Sequence, residues 1–145
     1  MINKSLFSSN SELWETPQEL YDTLNNEFNF TLDVCALSYN AKCKNYFSPD
    51  IDGLNQSWKT TGAVWCNPPY GKTIEKWIEK AYNEAQKGQT IVMLLPVRTD
   101  TKYFHSYIYN KAEIRFIKGR LHFNNSKNCA PFPSMIVIFR GRDNK

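Results

Sequence analysis

The stretch Gly62-Ala63-Val64-Trp65-Cys66-Asn67-Pro68-Pro69-Tyr70 begins as a strand and ends abruptly. Residues 62–66 are small, β-branched or aromatic, and Pro68 and Pro69 cannot donate to a sheet ladder. Downstream, Ile74, Trp77, Ile78, Ala81, Tyr82 and Ala85 recur at helical spacing from Thr73, and Gly88 supplies a stop. Ile91-Val92-Met93-Leu94-Leu95 is then an unbroken apolar run, the mark of a strand covered on both faces. Strand, helix and strand in this order predict a βαβ unit and a parallel sheet.

Working outward, Phe30 to Cys35 predicts a core strand, and Cys43 to Phe47 a shorter one. Upstream, Thr16-Pro17-Gln18-Glu19 has the form of a capping box: Thr16 as cap, Pro17 at the first helical position, Glu19 three residues on. Leu20, Leu24 and Phe28 give that helix an apolar face. Toward the C-terminus, Thr99 to Asn110 predicts a helix burying Tyr103, Phe104, Tyr107 and Ile108. Glu113 to Ile117 and Met135 to Phe139 predict the last strands, with Leu121-His122-Phe123 a further short one. The class is α/β, with a mostly parallel sheet and an antiparallel C-terminal edge.

The chain of 145 residues has the length of one domain, 1–145, with a Ser/Asn-rich arm over 1–13. No apolar run reaches the roughly 20 residues that cross a bilayer, and Met1-Ile2-Asn3-Lys4 does not open like a secretory signal. A cytoplasmic domain without membrane contact is expected. Cys35, Cys43, Cys66 and Cys129 form no paired motif near His105 or His122, so free thiols and no metal are expected. Charge is divided unevenly. Residues 1–70 carry 4 Lys/Arg against 8 Asp/Glu, a net of −4, whereas 71–145 carry 14 against 6, a net of +8. A basic C-terminal half suits a polyanionic partner, although a solvated lysine surface accounts for it equally well.

Asn67-Pro68-Pro69-Tyr70 leaves a strand where open α/β sheets form their sites, although consecutive prolines can also make a simple rigid turn. An Asn side-chain oxygen and a backbone carbonyl held outward by the fixed φ of Pro68 can accept two hydrogen bonds from one NH2 group. An exposed tyrosine can stack on a planar heterocycle. The exocyclic amine of a base is a poor nucleophile because its lone pair is delocalised. Two aligned acceptors favour a pyramidal nitrogen with that pair available, which is catalysis by position and electrostatics.

Taken with Trp14-Glu15-Thr16-Pro17, Leu32-Asp33-Val34-Cys35-Ala36, Asp52-Gly53-Leu54 with Trp58, Gly119-Arg120-Leu121 with Phe123, and Pro131-Phe132-Pro133-Ser134, the motif resembles the phage-type DNA N6-adenine methyltransferase family. The resemblance runs from about 12 to 140. It implies a trimmed Rossmann-like methyltransferase fold using S-adenosylmethionine, without a metal, and yielding S-adenosylhomocysteine. It also implies a double-stranded DNA substrate, an adenine flipped out of the duplex, and a monomer or homodimer in the host cytoplasm. Asn67 and the Pro68 carbonyl would accept from the adenine amine, and Tyr70 would stack on the base. Trp14, Thr16, Pro17, Asp33 and Ala36 would hold the cofactor, and Asp52, or else Asp50, would contact an adenine.

Two departures from the general methyltransferase pattern stand out. Asp33-Val34-Cys35-Ala36-Leu37-Ser38 contains no glycine, and only 27 residues, 37–63, separate Ala36 from Val64. A trimmed sheet is expected. With no separate recognition domain, base reading falls to loops 96–102 and 118–133. Lys72, Arg98, Lys118, Arg120 and Lys127 are candidates for phosphate contact, and Asn124, Asn125 and Asn128 for base edges. The same motif also suits a methyltransferase acting on RNA or a protein glutamine. A DNA-binding module that has lost catalysis is the remaining alternative.

Overall fold

The computed structural model describes residues 15–123 and 129–142. Its elements are α1 (Gln18–Phe28), β1 (Phe30–Asp33), β2 (Ala63–Cys66), α2 (Ile74–Gln86), β3 (Ile91–Pro96), β4 (Glu113–Phe116) and β5 (Ser134–Phe139). They build a five-stranded sheet in the order β1-β2-β3-β5-β4. The pairs β1–β2 and β2–β3 are parallel, and β5 runs antiparallel to both β3 and β4. The antiparallel pairing is therefore confined to the C-terminal side, as expected. Within that side β5 lies inside the sheet, and all six of its residues are buried. β4, which forms the edge, points the same way as β1, β2 and β3.

Alternation along β2, β3 and β5 divides the core into two layers, and a register shift in β1 between Phe30 and Leu32 puts these two residues on opposite sides. Leu32, Val64, Cys66, Met93 and Val137 face α2, where Ile74, Trp77, Ile78 and Ala81 cover them. Phe30, Trp65, Val92, Leu94 and Ile138 face α1, where Tyr21 and Leu24 pack with Phe123 and Ala130. Each large side chain taken from water here contributes on the order of 1.5–3 kcal/mol. β3 is buried along its whole length because both layers meet on it.

The start of α1 departs from the capping box. Pro17 occupies the cap position, with φ −58° and ψ 131°, and no side chain caps the helix. Thr16 stands one residue farther out, where the following proline disfavours helical backbone, and its hydroxyl serves elsewhere. The expected helix over 99–110 is shortened to residues 102–108, most of it a wide π turn, Phe104–Ile108, closed by a bond from Tyr109 N to Phe104 O at 2.8 Å. Tyr103, Phe104 and Ile108 are all buried, and the wider turn points them together into one layer. Asn110, at φ 61°, then ends the segment.

Residues 43–47 contribute one parallel bridge, Tyr46 to Asp33, instead of a strand. The short strand expected at 121–123 is likewise absent, its place taken by a bond from Ala130 N to Leu121 O at 2.7 Å. A buried knot fixes the turn Gly53–Asn55 against α2. The Trp58 indole N–H donates to Gly53 O at 2.8 Å, and its ring stacks 6.1 Å from Trp77. Glu84 accepts from Trp58 N, Lys80 and Lys87. Burial by itself would raise the Glu84 carboxyl, but these donors hold it below its ordinary value.

Candidate active site

The parallel strands β1 and β2 end side by side, and a cavity of about 390 Å³ opens at their carboxyl ends. That size suits a small-molecule ligand. Its walls come from the β1 exit (Asp33 to Leu37), from residues 47–49, and from Asp52, Gly53 and Leu54. Trp77 lines it from α2, while Thr16, Asn67 and Pro69 line it from the α1 start and the β2 exit.

No glycine-rich loop shapes the β1 exit. The chain leaves the strand sandwiched instead, with Val34 N donating to Trp65 O and Ala36 N to Phe47 O, both at 3.1 Å. Asp33 closes the arrangement. Its carboxylate accepts from Cys35 N at 3.2 Å and from Lys42 N at 3.0 Å, which ties the 35–42 segment to the end of β1. Burial pushes its pKa up to about 7, against the lowering effect of these two N–H groups. Burial also raises the Cys35 and Cys66 thiols beside it.

Asp52 lines the cavity, whereas Asp50 does not. The Asp52 backbone is left-handed at φ 60°, and its side chain accepts from Leu54 N at 3.3 Å. Next to it, a Cβ on Gly53 would lie 2.3 Å from the Val34 carbonyl oxygen, so only glycine lets this turn approach the β1 exit. Ala36 is among the lining residues. Pro17 is not, and acts as the α1 cap. Trp14 lies outside the described residues.

In the Asn-Pro-Pro-Tyr turn, Asn67 Nδ2 donates to Thr16 Oγ1 at 3.0 Å. The Thr16 hydroxyl that the sequence assigns to the helix cap is thus directed at the motif. Pro68 is buried, and Asn67 and Pro69 on either side of it are half-buried. Tyr70 is not the exposed ring that the sequence suggests. It is 6% exposed, donates from its hydroxyl to Leu94 O at 3.2 Å, and meets Phe132 edge-on at 5.5 Å. The reason is position: the turn carries Tyr70 back over the α2 layer, where Tyr103 and Leu95 enclose it. Burial raises its hydroxyl well above the ordinary tyrosine range.

Lys72, Arg98, Lys118 and Arg120 are exposed. They follow the carboxyl ends of β2, β3 and β4, which point the same way, so these loops gather at the cavity end of the sheet. Val97 N donates to Pro133 O at 3.0 Å and Ile117 N to Ser134 O at 3.1 Å, tying the loops into one rim. Arg98 lies 3.5 Å from Asp100. Arg120 donates to Ala130 O at 3.4 Å, a bond that braces the loop. Lys127, with Asn124, Asn125 and Asn128, lies outside the described residues. Not all of the basic C-terminal half faces this way. Arg115 pairs with Glu27 and Glu113, and Arg140 with Glu113. Arg140 and Arg142 follow β5, whose far end lies beside the start of β3.

Sequence reasoning missed Asn40, Lys42, Phe47 and Trp77 as cavity residues. Asn40 carried a local signal, since its side chain accepts from Leu37 N at 2.7 Å in a short polar turn. The others reach the cavity only through tertiary packing.

A family model described as DNA N-6-adenine-methyltransferase (Dam) matches residues 4–144. A Haemophilus phage HP1 protein named DNA N-6-adenine-methyltransferase is 31% identical over 147 residues, covering 96% of this chain and 84% of that protein. An Escherichia phage T1 protein of the same name is 32% identical over 111 residues, covering 76% of this chain and 46% of that protein.

Proposed function

Because the chain belongs to the DNA N-6-adenine-methyltransferase family, we propose that it transfers a methyl group from S-adenosylmethionine to N6 of an adenine flipped out of double-stranded DNA. The observation that carries this reading is that Asn67 lines the same cavity as Asp33, with its amide tied to Thr16. That cavity fits the cofactor in chemistry as well as size. Val34, Phe47, Leu54 and Trp77 give it apolar walls for a heterocycle, while Glu15, Asp33 and Asp52 add acid groups suited to a cationic ligand with ribose hydroxyls. When bound, S-adenosylmethionine supplies a methyl group activated by the sulfonium charge.

The chain's own residues provide the rest. Asn67 Oδ1 and the Pro68 carbonyl accept the two hydrogens of the adenine amine and draw its nitrogen toward a pyramidal shape. Flipping the base costs a few kcal/mol, which contacts in the pocket offset. Tyr70 can offer a stacking face only when Phe132 moves off it, so base entry goes with displacement of the 131–133 segment. Lys72, Arg98 and Lys118 meet phosphates, and the rim loops read the flanking bases. Arg120 belongs with them only in part, because its guanidinium also braces Ala130.

The test is to incubate the protein and methyl-labelled cofactor with duplex DNA, an RNA and a glutamine-bearing protein, then digest and identify the labelled product. Label in N6-methyladenine from DNA is expected. Label in RNA or glutamine, or DNA binding without transfer, contradicts the reading.

A further inference from the structure

We propose that Lys42 binds the methionine carboxylate of S-adenosylmethionine and so directs the amino-acid tail of the cofactor to the α1 side of the cavity. The inference rests on the functional reading above in one respect, that S-adenosylmethionine is the ligand of this cavity. That ligand carries a sulfonium, an ammonium and a carboxylate. The acids Glu15, Asp33 and Asp52 suit the cations and the ribose hydroxyls, but they repel a carboxylate. Among the described residues that line the cavity, Lys42 is the one basic residue. A bond from its ammonium to a carboxylate is roughly twice as strong as one from a neutral donor.

The placement of Lys42 fits this task. An α-amino acid bears its ammonium and carboxylate on one carbon, so the acid and the base that meet them must be neighbours. Lys42 N donates to Asp33 Oδ2 at 3.0 Å, which sets the two residues side by side at the β1 exit. Burial raises the Asp33 carboxyl, and the Lys42 charge is near enough to act against that rise. The ammonium is also held before any ligand arrives. Lys42 Nζ donates to Gln18 Oε1 at 2.7 Å and stands 6.0 Å from the centre of the Tyr21 ring. Gln18 is itself oriented, because its Nε2 donates to Asp22 Oδ1 at 2.8 Å and an ionised carboxylate only accepts. Gln18 takes one of the three N–H bonds of the ammonium, and two more can serve an anion. A side chain ordered in this way loses less freedom on binding than a loose one. Gln18 and Tyr21 belong to α1, whereas Leu54 and Trp77 pack in the layer of α2 and offer the heterocycle its apolar wall there.

The experiment measures binding to the full chain by calorimetry, without turnover, for two ligands. One is S-adenosylmethionine; the other is its decarboxylated form, which keeps the sulfonium, the ammonium and the adenosine. Wild type should bind the decarboxylated ligand about tenfold or more weakly, the scale of one charge-assisted hydrogen bond. Lys42→Met keeps most of the stem and the backbone N–H to Asp33 but removes the ammonium. It should lose about as much affinity for S-adenosylmethionine, while the decarboxylated ligand binds the two proteins within about threefold of each other. A wild type that binds both ligands equally well has no carboxylate site, and this overturns the proposal whether or not the variant folds. Lys42→Met with wild-type affinity for S-adenosylmethionine overturns it too. Equal losses for the two ligands in Lys42→Met do the same, because the lysine would then act through the shape of the cavity. If the wild type binds no S-adenosylmethionine, the functional reading falls and this one falls with it; binding by the wild type that Lys42→Met leaves intact sinks this one only.

Discussion

The Asp33 carboxylate accepts backbone N–H groups from Cys35 and Lys42 on its two oxygens, so it shapes the cavity before any ligand arrives. Burial nevertheless keeps the group protonated up to about pH 7, well above the 3.8 of a free aspartate. The sign for stability follows from linkage. The folded protein holds this proton more tightly than the unfolded chain, so the contribution is full below about pH 4 and is lost as pH rises through about 7. A cationic or hydroxyl-bearing ligand adds a donor that favours the ionised form. Cofactor affinity should therefore rise between pH 6 and 8, and Asp33→Asn should bind more weakly and lose that part of the pH dependence. Calorimetry across this range decides it; an affinity profile identical in the two proteins would remove Asp33 from the cofactor site. Tyr70 teaches a different lesson. Its neighbours in sequence indicate a site, but only the α2 layer reveals that the ring is covered.

Elements with strong periodic or apolar signals were legible in the sequence. α2 and β3 lie where Ile74, Trp77, Ile78 and the run from Ile91 place them, because nearly every such residue is core. Ends and short elements were less legible, since their backbone answers to tertiary partners. Thr16 has the chemistry of a helix cap, yet its hydroxyl is taken by Asn67, 51 residues away. Residues 99–110 have a helical apolar set, yet packing of Tyr103, Phe104 and Ile108 converts it to a π turn. At the site, Asn67 could be named from motif chemistry and Asp33 and Asp52 from the family resemblance, and all three line the cavity, whereas Phe47 and Lys42 come to it by the pairing of 45–47 with β1. Gly53 marks the most constrained of these junctions. Gly53→Ala would press a methyl group on the Val34 carbonyl, so we expect a loss of about 1–3 kcal/mol in chemical denaturation, with weaker cofactor binding. A variant as stable as wild type would show that the turn is free to move.

Among the described residues, basic side chains of the C-terminal half sit at both ends of the sheet. Arg115 and Arg140 are committed to Glu27 and Glu113, while Lys72 and Lys118 rise from the rim around the cavity. Lys72→Ala and Lys118→Ala should each weaken binding to every DNA sequence alike and flatten the log–log salt dependence by about one unit. Arg140→Ala should leave that slope unchanged, and a slope that falls equally in all three would place DNA on a different face. No helix among the described residues is long and apolar enough to cross a membrane. The fold thus brings the cavity, the Asn-Pro-Pro-Tyr turn and a basic rim to one end of the sheet. Under the proposed function, Asn67 acts on the substrate amine and not on the cofactor. Single-turnover methyl transfer by Asn67→Ala, measured beside its cofactor affinity, tests it most directly. Loss of one of two acceptors should raise the barrier by about 2–4 kcal/mol, with cofactor Kd changed far less. Transfer at the wild-type rate, or a loss explained wholly by weaker cofactor binding, would contradict the account.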